Sequence, residues 1–211
     1  MNRRPRELLV FDIGNVLLRF DMDRAARNFE AGERGVGARL KRLLWGSPEG
    51  ERFETGRLSG PGFHRLLRRR LGLRMGYAGF CRAFNHIFTP VTANLRLLRR
   101  LARRRPVALL SNTNPIHWRY IFRAYPALKA ARWAYSSHQL GVLKPDPRAY
   151  RRLSRRTGVP LDRMVFVDDR PENVRAARRL GMRAHLYDGR PIGRRLESEL
   201  AAAGTNGHRR A

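Results

Sequence analysis

Three apolar runs of strand length each end on polar residues: "ELLVFD" (7–12), "PVALLSN" (106–112) and "RMVFVDD" (163–169). Short continuous apolar runs bounded by turn signals suit strands buried on both faces. Two weaker candidates are "WAYSS" (133–137) and "RAHLYD" (183–188). Between most of them the chain is punctuated for helices. Asn114-Pro115, Asp146-Pro147 and Arg170-Pro171 each put proline at a first helical position, the first two behind a good capping side chain. Gly158 and Gly181 follow the last turns of the second and third of these helices. Alternation of strand and helix through residues 106–203 predicts an α/β fold, a Rossmann-like parallel sheet with covering helices.

Residues 22–100 contain no convincing strand. Helices are expected to start at Ser47-Pro48, Ser59 and Thr89-Pro90, and "TPVTANLRLLRRLARRR" places Val91, Leu98, Leu101 and Ala102 on one helical stripe. Roughly 90 residues separate the first strand from the next, far more than a crossover needs. The expectation is a small all-α insertion, residues 22–99, standing over one end of a core built from residues 1–21 and 100–211.

A chain of 211 residues with 42% apolar content can bury one core and carry such an insertion. Its net charge of +28 is almost wholly arginine, because Lys41, Lys129 and Lys144 are the three lysines. Runs such as "RLLRRRLGLR", "RLLRRLARRR" and "RRLSRR" fall within amphipathic patterns and read as outer helix faces. The competing reading is a surface for nucleic acid or another polyanion. These runs lack the interleaved aromatics of a single-strand platform. The lone cysteine, Cys81, fits a reducing compartment. The opening "MNRRPR" resembles an export signal, but Asp12, Arg19 and Asp21 interrupt the apolar run that follows. No stretch approaches the roughly 18 apolar residues a membrane span needs. A cytoplasmic protein without membrane contact is expected. Trp45, Trp118 and Trp133 are expected to pack in the core or insertion, and His117 to lie on a helix surface or sheet edge.

In open parallel sheets, ligands bind beyond the carboxyl ends of strands. Here those ends carry Asp12, Ser111-Asn112 and Asp168-Asp169, with Lys144 after the weaker strand. Any one could be a turn former or a surface charge, but in such a sheet all of them would converge on one rim. Three carboxylates in contact repel by about 4 kcal/mol per pair at an effective dielectric near 20, so the cluster needs cations. Magnesium prefers oxygen ligands and keeps room for a phosphate. Magnesium plus the Lys144 ammonium would balance the three acids, and a compact ammonium reaches where a planar guanidinium fork would not fit.

With "VFDIGNVL", "LLSNTN", "LGVLKPDPRAY" and "VFVDDRPENVRAARRLGM" in this order, the chain resembles the haloacid dehalogenase-like (HAD) hydrolases, in the branch with a helical cap after the first strand. The insertion's "FETGRLSGPGF" and "FNHIFTP" are also similar to caps of that branch. The resemblance covers about residues 7 to 200 and implies a magnesium-dependent phosphatase acting on a small phosphorylated metabolite. It implies Asp12 as the nucleophile, forming an aspartyl-phosphate, with Ser111 and the Asn112 backbone N–H holding the phosphoryl group. Lys144 would neutralise charge shared by nucleophile and phosphate. Asp12, the Gly14 carbonyl, Asp168 and Asp169 would hold magnesium. Asn173 would orient the metal shell or sit in a first helical turn, and Arg170 could touch substrate.

Gly14 departs from the commoner pattern, in which a second aspartate at this position protonates the leaving alcohol. Losing a general acid costs about 10²–10⁴ in rate. The "FDxGNV" form resembles a sub-branch that includes α-glucose-1-phosphate phosphatases, whose anomeric oxygen needs less protonation. The expectation is an activated ester, or an acid borrowed from water, Asp21, Glu54, His64 or His86. The rivals are a metal-independent 2-haloacid dehalogenase, against which the Asp168-Asp169 pair argues, and a catalytically weak fold that binds polyanions.

Overall fold

The computed structural model describes residues 7–30, 35–44, 46–193, 196 and 198. Trp45 and the C-terminal "TNGHRRA", expected to fray, lie outside the described residues. The chain opens with β1 (Leu8–Phe11) and β2 (Leu18–Phe20). It continues through α1 (Met22–Glu30), α2 (Val36–Leu44), α3 (Pro48–Glu54), α4 (Gly60–Leu71) and α5 (Tyr77–Asn85). A short β3 (Phe88–Pro90) and α6 (Thr92–Ala102) lead to β4 (Val107–Ser111). Then come α7 (Pro115–Ala124), β5 (Trp133–Ser136), α8 (Ser137–Leu140) and α9 (Pro147–Thr157). β6 (Met164–Asp168), α10 (Pro171–Arg179) and β7 (Arg183–Leu186) follow.

The fold is α/β. Five strands form a parallel sheet in the order β5-β4-β1-β6-β7, with the register Leu9↔Val107 on one side of β1 and Leu8↔Met164 on the other. Successive strand residues face opposite sides. Leu9, Phe11, Leu109 and Val167 therefore pack against Leu98 and Leu101 of α6 and Ile121 of α7. Leu8, Val10, Leu110 and Phe166 meet Tyr150 and Leu153 of α9 and Val174 of α10 on the other face. Edge strands β5 and β7 are only partly buried, which explains their fainter sequence signal.

Two expectations about the insertion need correction. Residues 22–100 do contain a strand: β3 pairs antiparallel with β2, Phe20 opposite Phe88 and Leu18 opposite Pro90. Thr89-Pro90 belongs to this ribbon, and α6 starts later, at Thr92 behind Val91. A proline at a strand end needs no ladder donor, so its presence does not select a helix start. The starts at Ser47 and Ser59 hold, each hydroxyl accepting from the N–H three residues on.

Helices α1–α5 enclose an aromatic core of their own, including Phe29, Phe53, Phe63, Phe80 and Phe84, with the Phe53 and Phe63 rings stacked at 4.2 Å. They are tied to the sheet body at the end of α3. The Ser137 hydroxyl donates to the Glu54 carbonyl at 2.6 Å. Gly56, at φ +75°, leaves only 2.3 Å between an added Cβ and the His138 carbonyl oxygen, so a side chain here would block the docking. Arg68–Arg70 on α4, Arg99 and Arg100 on α6, and Arg155 and Arg156 on α9 are all exposed, on separate helix faces. Trp118 and Trp133 are partly buried against the two sheet clusters. Among the described residues no helix is long and apolar enough to cross a membrane.

Candidate active site

The carboxyl ends of β1, β4 and β6 open into a cleft of about 650 Å³. Asp12 leaves β1 with its N–H donating to the Val167 carbonyl at 2.8 Å, which extends the ladder with β6 by one residue. Its Oδ1 accepts from the Ile13 N–H at 2.7 Å and lies 3.0 Å from Lys144 Nζ. The ammonium also donates to Asp168 Oδ2 at 2.6 Å and to the Leu110 carbonyl at 2.8 Å. Asp12, Asp168 and Asp169 each offer a carboxylate oxygen, all within 4.8 Å of one another. The expected cluster is therefore assembled.

Each member is held by its own scaffold. Asn112, after β4, forms a reciprocal pair with Lys144: its Nδ2 donates to the Lys144 carbonyl and its Oδ1 accepts the Lys144 N–H, both at 2.8 Å. Asp168 Oδ1 accepts from the Arg170 N–H and from Asn173 Nδ2, both at 2.9 Å, so Asn173, in the first turn of α10, also holds the Asp168 carboxylate. Ser111 is buried at the end of β4 and lines the cleft with Asn112, Gly14 and Arg170. The Arg170 side chain is paired with Glu172. Asn15 was not singled out from sequence, yet its Nδ2 donates to Asp169 Oδ2 at 2.9 Å. It is the one non-glycine residue with positive φ among those described, at +53°, a conformation asparagine tolerates. That turn is pinned from behind by Asn94 of α6, whose Nδ2 donates to the Val16 carbonyl at 2.7 Å.

Burial pushes the Asp12 carboxyl up to about 7; Lys144 pulls it back, and Asp168 and Asp169 push the same way as burial. Burial also raises Asp169, with the Asn15 amide opposing. Burial works against the Lys144 ammonium, but Asp12 and Asp168 outweigh it and hold it above the ordinary lysine range. Three acids facing one ammonium form an oxygen-rich site that is short of positive charge, which fits a hard dication.

Of the four candidate leaving-group acids, the structure brings only Glu54 to the cleft. Burial pushes its carboxyl up to about 7, against the pull of Arg170. Asp21 is exposed and paired with Arg27. His64 lies between Tyr77 and Phe80, its Nε2 on the Met75 carbonyl. His86 borders a separate shallow depression with Cys81 and Tyr120.

His117, expected at a surface or edge, is buried. It stacks on Phe84 of α5 at 4.0 Å and bonds the Phe84 carbonyl through Nε2 at 3.1 Å. The Asn114 amide meets its Nδ1 at 3.1 Å. Both nitrogens are satisfied by a neutral ring that joins α7 to α5. Burial pushes this imidazole down to about 4, with the Phe84 carbonyl opposing. Between the ordinary value of 6.5 and about 4, the unfolded chain binds a proton that the folded chain does not. The stabilisation is thus present above 6.5 and lost as pH falls, by about 3 kcal/mol over the full window. Urea denaturation should show His117→Gln costing stability near neutrality and costing much less at about pH 5. Asp12 and Glu54 titrate with the opposite sign, but both chains share them, so the difference isolates His117. A gap that does not change with pH would refute the assignment.

The family model for haloacid dehalogenase-like hydrolases matches residues 7–181. Over 53 residues the chain is 45% identical to a phosphatase of Mycobacterium tuberculosis, covering 25% of this chain and 24% of that protein. It is 28% identical to D-ribitol-5-phosphate phosphatase of Bacteroides thetaiotaomicron, covering 82% of this chain and 87% of that one. The first curated relatives are matched over only about a quarter to a third of their own length. A crystal structure of a HAD family enzyme from Bacteroides thetaiotaomicron, in complex with magnesium and inorganic phosphate, superposes with a TM-score of 0.77 at 26% identity. The superposition covers 88% of this chain and 96% of that one.

Proposed function

The chain belongs to the haloacid dehalogenase-like hydrolases, and we propose that it is a magnesium-dependent phosphatase working through an aspartyl-phosphate on Asp12. The observation that carries this reading is the meeting of Asp12, Asp168, Asp169 and Lys144 at one sheet end. The phosphate-ester chemistry named for the ribitol-5-phosphate enzyme, and the neighbour's complex with magnesium and phosphate, support it. Magnesium would be held by Asp12, Asp168, Asp169 and the Gly14 carbonyl, where it would supply positive charge to the phosphoryl oxygens and favour the ionised form of Asp12.

The remaining work falls to side chains. The Asp12 carboxylate attacks phosphorus, the ester P–O bond breaks, and the leaving oxygen departs with the bonding pair. Water then cleaves the acyl phosphate, restoring the carboxylate and releasing inorganic phosphate. Lys144 neutralises charge throughout, and Ser111 with the Asn112 N–H positions the phosphoryl group. Residues within 22–99 form the cap, with α6 counted with the sheet because Leu98 and Leu101 pack there. Substrates are small phosphorylated metabolites whose alcohol leaves readily, a class that includes sugar 1-phosphates.

Hydrolysis of p-nitrophenyl phosphate should fall about 10²-fold or more when EDTA replaces magnesium. Halide release from a 2-haloacid in EDTA would instead establish the dehalogenase reading. Nucleic-acid affinity falling steeply with salt, without hydrolysis, would establish polyanion binding.

A further inference from the structure

The missing acid at position 14 has a structural counterpart. A Cβ built on Gly14 would lie 3.1 Å from Cε1 of Phe20 and 3.5 Å from its Cδ1, so the edge of an aromatic ring crowds the place where a side chain would begin. Phe20 is 37% exposed and borders the cleft. It sits opposite Phe88 across the two-stranded ribbon, and Phe88 borders the same cleft. Met22, Phe84, Ile87 and Ile121 add further apolar lining to the same cleft.

This lining constrains the alcohol half of the ester. Sugar hydroxyls placed against it would lose water without gaining partners, whereas an aromatic ring would gain contact and edge or offset packing. The leaving-group chemistry points the same way. A phenol ionises near pH 10, as tyrosine does, so phenoxide can depart unprotonated, while alkoxides are far more basic. Resting on the phosphatase reading above, we propose that the substrate is a phosphate monoester of an aromatic hydroxyl, its ring packed on Phe20 and Phe88. The Asp12 oxygen bonds to phosphorus as the aryl C–O–P linkage breaks on the phosphorus side. Phenoxide takes the electron pair and then a proton from water, and hydrolysis of the acyl phosphate returns carboxylate, phosphate and a proton.

The test is a series of esters assayed with magnesium: substituted phenyl phosphates, cyclohexyl phosphate and glucose 1-phosphate. Calorimetric binding of phenylphosphonate and inorganic phosphate runs alongside. Phenyl phosphate should exceed cyclohexyl phosphate in kcat/KM by about 10³-fold, with a steep dependence on the pKa of the departing phenol. It should also exceed glucose 1-phosphate by about tenfold or more. Phe20→Ala should weaken phenylphosphonate about tenfold and leave inorganic phosphate binding unchanged. In the double variant with Gly14→Asp and Phe20→Ala, the new carboxyl has room, and the leaving-group dependence should flatten.

Equal weakening of both ligands in Phe20→Ala would mean a merely structural ring and overturn the proposal. So would cyclohexyl phosphate within tenfold of phenyl phosphate, which would require a proton donor such as Glu54, or a preference for glucose 1-phosphate. In those cases the phosphatase reading stands. If no ester is hydrolysed under any magnesium condition, both readings fall together.

Discussion

Asp12→Asn is expected to abolish magnesium-dependent hydrolysis, lowering kcat about 10⁴-fold or more while the protein stays folded. Asparagine keeps the size of the side chain and an oxygen to accept the Ile13 N–H, so the bond that shapes the turn after β1 survives. What disappears is a carboxylate able to form a covalent bond to phosphorus. Binding of inorganic phosphate should persist, because Ser111, Asn112 and Lys144 are untouched, and that separates loss of chemistry from loss of the site. Stopped assays with phenyl or p-nitrophenyl phosphate, together with calorimetric phosphate binding, decide the matter. Full activity in this variant would remove the nucleophile from position 12.

Lys144→Met should damage both stability and catalysis. The ammonium lies between Asp12 and Asp168, all three buried, and donates to Asp168 Oδ2 at 2.6 Å. Taking away one partner of a buried charge cluster leaves the others uncompensated, at a cost of about 3–5 kcal/mol. Methionine fills nearly the same volume, so the loss would be electrostatic, not a cavity effect. Magnesium should restore part of the lost stability, and its stabilising effect should be larger in the variant than in the parent chain, because a site richer in negative charge binds the dication more tightly. kcat/KM should fall about 10³-fold even at saturating magnesium. Urea melts with and without the ion give the readout. A loss below about 1 kcal/mol would mean that the acids are neutral in the folded protein and that Lys144 is not their counter-charge.

The core strands were legible because β1, β4 and β6 are buried along their whole length, so each appears as an apolar run, and the residue just after each strand, Asp12, Asn112 or Asp169, lines the cleft. The general rule for parallel sheets then placed Asp12, Ser111 and Asp168 on one rim without knowledge of strand order. The β2–β3 ribbon was not legible. Each strand has three residues, their partners lie some seventy positions apart, and Pro90 carries a stronger local signal for a helix start than for a strand end. His117 was misjudged because its burial comes from Phe84, on a helix far away in sequence. Asn15 stood in plain view within "FDIGNV", and its left-handed conformation would have been a fair inference from an asparagine after a glycine in a tight turn. Phe20 could not be placed at all, since only the crossing of ribbon and loop brings its ring over Gly14.

The reciprocal amide pair between Asn112 and the backbone of Lys144 fixes the charged half of the cleft using sheet-body residues alone. Much of the cleft's apolar lining, including Phe20, Phe88, Met22 and Phe84, belongs to the ribbon and the inserted helices. The two parts can therefore change independently over evolutionary time: substitutions in that lining can redirect which molecules are admitted while the ionic balance at the rim stays intact.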